Sequence, residues 1–163
     1  MLIENYYNDS PIIAGSYYSR QPLFPFIGAS INSLGVPVLA PVTLTATASD
    51  NRTQIDVDGM QQLVLYIRYI TGAAETNNVL NLTVEFSPDS VNYYQEATEA
   101  VATTVITQYQ ATRQFTGAAA ATTYSLRVAI PIADIRKIRI GFAETGVAAN
   151  FGTLSVLAVT SGQ

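Results

Sequence analysis

From residue 41 onward the chain alternates apolar and polar positions with period two, the spacing of a half-buried β-strand. Val42-Thr43-Leu44-Thr45-Ala46-Thr47-Ala48 is the first such run, and Ser49-Asp50-Asn51-Arg52 ends it. Gln62 to Ile70 is apolar on both sides, which predicts a central strand. Thr71 to Asn78 reads as a loop. Leu80, Leu82, Val84 and Phe86 then alternate with Asn81, Thr83 and Glu85, giving one dry and one wet face. Ser87-Pro88-Asp89-Ser90 has the residues of a turn, and Val91-Asn92-Tyr93-Tyr94 returns from it as a hairpin. Val101 to Ile106 is a β-branched run, Thr107 to Thr116 continues extended, and Gly117 to Ala121 is a linker. Tyr124 to Ile130, Ile138 to Phe142 and Leu154 to Val159 are the remaining strands. Between them, Pro131 to Asp134 predicts a bend and Glu144-Thr145-Gly146 the start of a turn.

About eight short strands at steady spacing, with no long helical period, predict an all-β fold: an antiparallel, jelly-roll-like β-sandwich. The first forty residues follow another rule. Pro11, Pro22, Pro25 and Pro37 punctuate them and Pro41 closes them off, and each proline removes an N–H and pushes its predecessor towards extended geometry. The same segment carries Tyr6, Tyr7, Tyr17, Tyr18, Phe24 and Phe26, an aromatic content foreign to solvated linkers. The organisation read from this is an extended N-terminal arm over 1–40 and a sandwich over 41–163. The arm wants a surface, either along its own sandwich or across on another subunit. The second is favoured, with those six aromatics as its partner contacts.

Charge sharpens the picture. Only 12% of the 163 residues are charged, against about 25% in ordinary soluble domains. Lys137 is the sole lysine. A surface so poor in charge is weakly protected against association, and interface cores show the same depletion. The net charge is −4 with no basic stripe, so nucleic-acid binding lacks its electrostatic source. No apolar run reaches the length of a membrane span, and Met1 to Asn5 does not open like a signal peptide.

Candidate chemistry is thin. The chain has no His and no Cys, which removes the commonest general base and metal ligand, the thiolate nucleophile and any Ser-His-Asp arrangement. A Ser-Lys pair would have to use Lys137, set in the charged stretch Ile135 to Arg139. Carboxylates are scattered singly. Asp56-Val57-Asp58-Gly59 resembles a fragment of a calcium loop but lacks the further ligands such a loop needs. A turn with Gly59 at positive φ is the preferred reading, a cation site shared with Asp50 or Asn51 the other. No Gly-rich phosphate loop occurs. Neither a catalytic residue, a cofactor nor a metal is expected.

Two stretches carry a family resemblance. Leu82-Thr83-Val84-Glu85-Phe86-Ser87-Pro88-Asp89-Ser90-Val91-Asn92-Tyr93 is similar to the hairpin of many phage sandwich domains, with Ser90 where Gly is usual and Tyr93 where Trp is usual. Ala133 to Phe142, followed by Gly152-Thr153-Leu154-Ser155-Val156, resembles their bend and last two strands. The family is the accessory virion proteins of tailed bacteriophages, of the capsid decoration (cement) type. The resemblance implies a non-enzymatic virion protein on the capsid surface, made in the host cytoplasm. Its partners would be other copies of itself, as trimers, and the major capsid protein or another virion protein. A carbohydrate- or receptor-binding module of a tail or fibre, or a tail or neck ring protein, would share the same sandwich.

Overall fold

The computed structural model describes residues 24–48, 50–74, 76–102, 105–110, 113–146 and 150–162. All regular structure among them is β. The front sheet runs β1 (Phe24–Ile27), β14 (Thr153–Ser161), β6 (Gln62–Ile70), β12 (Thr123–Pro131), and β4 (Val42–Thr43) follows β1 along the same edge of β14. The back sheet runs β11 (Arg113–Gly117), β7 (Asn78–Ser87), β13 (Lys137–Thr145), β5 (Arg52–Asp56), and β8 (Tyr94–Gln95) shares the outer edge of β7 with β11. Two hairpins stand apart: β2 (Ala29–Ile31) with β3 (Pro37–Leu39), and β9 (Ala97–Ala102) with β10 (Val105–Gln110). Every pairing is antiparallel.

Setting aside the two hairpins and β8, and counting β1 with β4 as one edge position, eight strands remain. Numbered along the chain, they order as 1-8-3-6 in front and 2-7-4-5 behind. Those are the interlocked Greek keys of a jelly roll, the sandwich class that the alternation predicts.

Period two explains the core. Leu63, Leu65, Ile67 and Tyr69 of β6, and Leu154, Val156 and Ala158 of β14, point inward from the front sheet. Leu80, Leu82 and Val84 of β7, and Ile138, Ile140 and Phe142 of β13, meet them from the back. Each such Leu, Ile or Val contributes about 1.5–3 kcal/mol by burial. Leu44, Val57 and Ile132 enter the same cluster from loops.

Three local readings are corrected. The run Val42 to Ala48 is not one strand: only Val42–Thr43 pairs. Leu44 N–H donates to Gly152 O of the front sheet's border, whereas Thr45 O accepts from Glu144 N–H of the back sheet. The chain therefore crosses between sheets there, carrying Leu44 into the core. Val101 to Ile106 is likewise not one strand, because Val101 and Ile106 are register partners on opposite arms of the β9–β10 hairpin. Glu144 does not begin a turn. It continues β13, in phase with Ile138, Ile140 and Phe142, and is buried.

Within the segment read as an arm, 24–39 form β1 to β3. Gly28, at φ 58, switches the chain from β1 to β2. A Cβ there would collide with Leu154 O.

Candidate interaction surface

The β2–β3 hairpin is built by its turn. Asn32 Oδ1 accepts the N–H groups of Leu34 at 3.0 Å and Val36 at 2.9 Å. Asn32 O accepts Gly35 N–H, and Gly35 sits at φ 77, the left-handed geometry glycine adopts without cost. This well-bonded turn presents apolar side chains to solvent. Leu34 is 81% exposed at the tip, and Ile31, Val36, Val38 and Leu39 are exposed beside it. The hairpin lies within 29 consecutive residues, Gln21 to Ser49, without a single charge. Isolated surface leucines need no explanation, whereas clustered exposed apolar side chains are in general a feature of interaction surfaces.

The outer face of the front sheet adjoins it. Cross-strand rows there read Arg127, Tyr66, Leu157 and Ser125, Arg68, Ser155, with Ala129, Val64, Val159 alongside. Leu39, Tyr66, Arg68, Ser125, Ser155 and Leu157 line a shallow depression of about 190 Å³. Tyr66 is 45% exposed. Arg68 and Arg127 are exposed and have no ion pair among the described residues. Ser155 is buried, and its hydroxyl has no hydrogen-bond partner.

The back sheet's outer face is different, because several of its charges pair with one another. Glu85 meets Arg52 at 3.4 Å and Arg139 at 3.9 Å. Arg139 also donates to Gln54 Oε1 and lies 3.3 Å from the centre of the Tyr93 ring, a cation–π arrangement. Of the Tyr93–Tyr94 pair, Tyr94 is exposed, and Tyr93 packs beneath Arg139 on this face instead of entering the core.

The β9–β10 ribbon leaves the back sheet between β8 and β11. Arg113 grips its base: Nη2 and Nε approach the two Glu96 carboxylate oxygens at 3.1 and 3.4 Å, and Nη1 donates to Ala129 O at 3.2 Å. One guanidinium thus ties the ribbon's entry and exit to each other and to the front sheet.

One buried polar group is the closest approach to chemistry. Glu144 Oε1 accepts the Tyr69 hydroxyl, and Oε2 accepts Gly152 N–H at 2.5 Å. Burial first, then the Glu144 carboxylate, pushes the Tyr69 phenol far above its ordinary value. Asn78, also buried, sits at the same end of the core. No second carboxylate joins them, and among the described residues no three His, Cys, Asp or Glu side chains gather in a way that could hold a metal ion. The Asp56–Gly59 segment is a turn with Gly59 at φ 76, as preferred from the sequence.

Of the arm aromatics, Tyr6, Tyr7, Tyr17 and Tyr18 lie outside the described residues. Phe24 stands in β1 opposite Ala158, and Phe26 is half-buried against the chain's own core. Sequence reading missed the β2–β3 hairpin, although Asn32-Ser33-Leu34-Gly35 between apolar pairs was a usable turn signal. It missed Glu144 too, whose even-numbered phase in β13 was the clue.

No protein-family model matches the sequence, and no curated protein does. Among solved structures, the chain is similar to that of the infectious bursal disease virus Gx strain: 15% identity, TM-score 0.36, covering 90% of this chain and 31% of that one. For the Gt strain the values are 16%, 0.38, 87% and 33%. The chain thus spans about a third of the length of these relatives, and likenesses at this level carry no functional argument.

Proposed function

We propose that this chain is a non-enzymatic structural protein of a virion, a capsid decoration protein that stabilises the head through contacts with its own copies and with neighbouring shell subunits. One observation carries the reading: a charge-free stretch folds into a well-bonded hairpin whose side chains are apolar and exposed. Such a hairpin is favourable only when a protein surface covers it. The jelly roll by itself does not choose, because capsid, lectin and cupin domains share it. Cupin-like metal chemistry would need ligands that a chain without His or Cys is short of. A lectin would need aromatic platforms beside convergent polar groups, whereas the exposed Tyr66 and Tyr94 sit on different sheets. The resemblance of residues 82–93 and 133–142 to phage decoration proteins agrees with a place on the capsid surface.

The test is co-sedimentation with expanded phage heads lacking the protein. Binding that saturates, and that Leu34→Asp with Val36→Asp weakens in a chain of unchanged circular dichroism, supports the reading. Absence of binding to any head form contradicts it and directs attention to tails and glycans. Charged substitutions at the tip are a cleaner probe than truncation, because β1 is itself a strand of the front sheet.

A further inference from the structure

The outer face of the front sheet has three properties with no internal use. First, it holds two exposed arginines, Arg68 and Arg127, without ion pairs among the described residues, and no acid occupies an outward position of β6, β12 or β14. In a chain of net charge −4, two unpaired cations beside Tyr66 and Leu157 ask for an anionic, apolar partner. Second, Ser155 borders the depression, and its buried hydroxyl has no hydrogen-bond partner among the described residues. Third, β12 has an open edge. Thr122 O accepts Thr71 N–H and Ile132 N–H donates to Gln61 O, so even-numbered residues of β12 bond towards β6 and odd-numbered ones turn their N–H and C=O groups outward. Ala129 O is taken by Arg113, which leaves Thr123, Ser125 and Arg127 as strand edge unpaired among the described residues, a template for an added strand.

We propose that this face is the acceptor for the N-terminal segment, residues 1–19, of a neighbouring copy. That segment matches the face in kind: its only charged side chains are Glu4 and Asp9, and it carries Tyr6, Tyr7, Tyr17 and Tyr18. Carboxylates pair with arginine in a fork geometry, and tyrosine rings accept guanidinium groups. Nineteen extended residues reach roughly 60 Å, ample to cross onto another subunit. The donor is a neighbour because of the direction of β1. Phe24 pairs with Ala158 and Ile27 with Val156, so the chain joins the sheet from the Thr160–Ser161 end, on the edge opposite β12. Pro22 and Pro25 favour extended geometry in the residues that precede them. This inference rests on the assembly reading above and names where its subunit contact falls.

The chain has no cysteine, so introduced thiols are unique. Full-length chains carrying Asn8→Cys are mixed with chains carrying Ser125→Cys and oxidised. A covalent heterodimer is expected. Adding Arg68→Glu and Arg127→Glu to the acceptor should lower its yield on the order of tenfold, and Glu4→Arg with Asp9→Arg in the donor should restore it. Absence of the heterodimer, or a cross-link formed only inside chains bearing both cysteines, overturns the proposal. Sedimentation of the same samples separates the two claims. Self-association without the cross-link removes this acceptor face and leaves the assembly reading standing, whereas a monomer without the cross-link that also fails to bind phage heads removes both.

Discussion

Tyr69 of the front sheet donates its hydroxyl proton to Oε1 of Glu144 in the back sheet, inside the core. With Gly152 N–H on the other oxygen, the carboxylate has two donors and joins three segments at one end of the sandwich. Its cost in desolvation is offset only while both donors are present. Tyr69→Phe should therefore destabilise the fold by about 1–3 kcal/mol, and Glu144→Gln by a similar amount, since one amide face must then meet a donor. Urea unfolding of both single variants and the double would show strong non-additivity. Additive losses would mean that the two side chains act separately.

Alkali should find the same contact. The Tyr69 phenol is raised in the folded state, by burial first and by Glu144 second. A raised folded value means that the stability tied to the protonated phenol is fully present below about pH 10, the unfolded value, and is lost as pH rises through the folded one. Thermal melting should fall with pH above 10 in the parent, and less steeply in Tyr69→Phe. Equal slopes would contradict the assignment.

Acid should loosen a different place. Asp89 is exposed, yet the N–H groups of Asn92 and Val91, then the Asn92 side chain, hold its carboxyl well below the ordinary range. A depressed folded value contributes stability above the unfolded value, near pH 4, and loses it as pH falls through the folded one. The amide signals of Val91 and Asn92 should keep their neutral-pH shifts below pH 4, and Asp89→Ala should abolish their order. Titration of those amides at the ordinary carboxylate value would contradict the turn's geometry.

Arg113 is predicted to set the ribbon's stability and little else. Arg113→Ala removes two contacts to Glu96 and one to Ala129 O. Both side chains of the pair are about one-third exposed, so the global loss should be modest, about 1 kcal/mol. Amide exchange within 97–110 should rise much more than in β6 or β13. Lysine should rescue poorly, because it cannot fork onto the carboxylate and reach the carbonyl together.

Legibility followed the strength of the alternation. β7 and β12 could be read because each keeps one phase from end to end, β6 and β14 because they are long, largely apolar runs, and so could the turn at Asp89. Val42 to Ala48 has the same alternation but fails as a strand, since Leu44 and Thr45 bond to opposite sheets; that crossing is tertiary. Val101 to Ile106 looks continuous because β-branched residues run through most of it, whereas Val101 and Ile106 face each other on opposite strands. Glu144 stands in the loop-like triplet Glu-Thr-Gly, yet its phase with Ile140 and Phe142 places it in the core. The unpaired state of Arg68 and Arg127 appears only once the register of three strands is known.

The central claim is that the apolar hairpin exists to be covered by protein. Sedimentation velocity of the full chain over a range of concentrations tests it most directly. The account predicts concentration-dependent association to a defined oligomer, reverted towards monomer by Leu34→Asp with Val36→Asp while circular dichroism stays unchanged. A chain that remains monomeric at every concentration, with or without phage heads present, would contradict it.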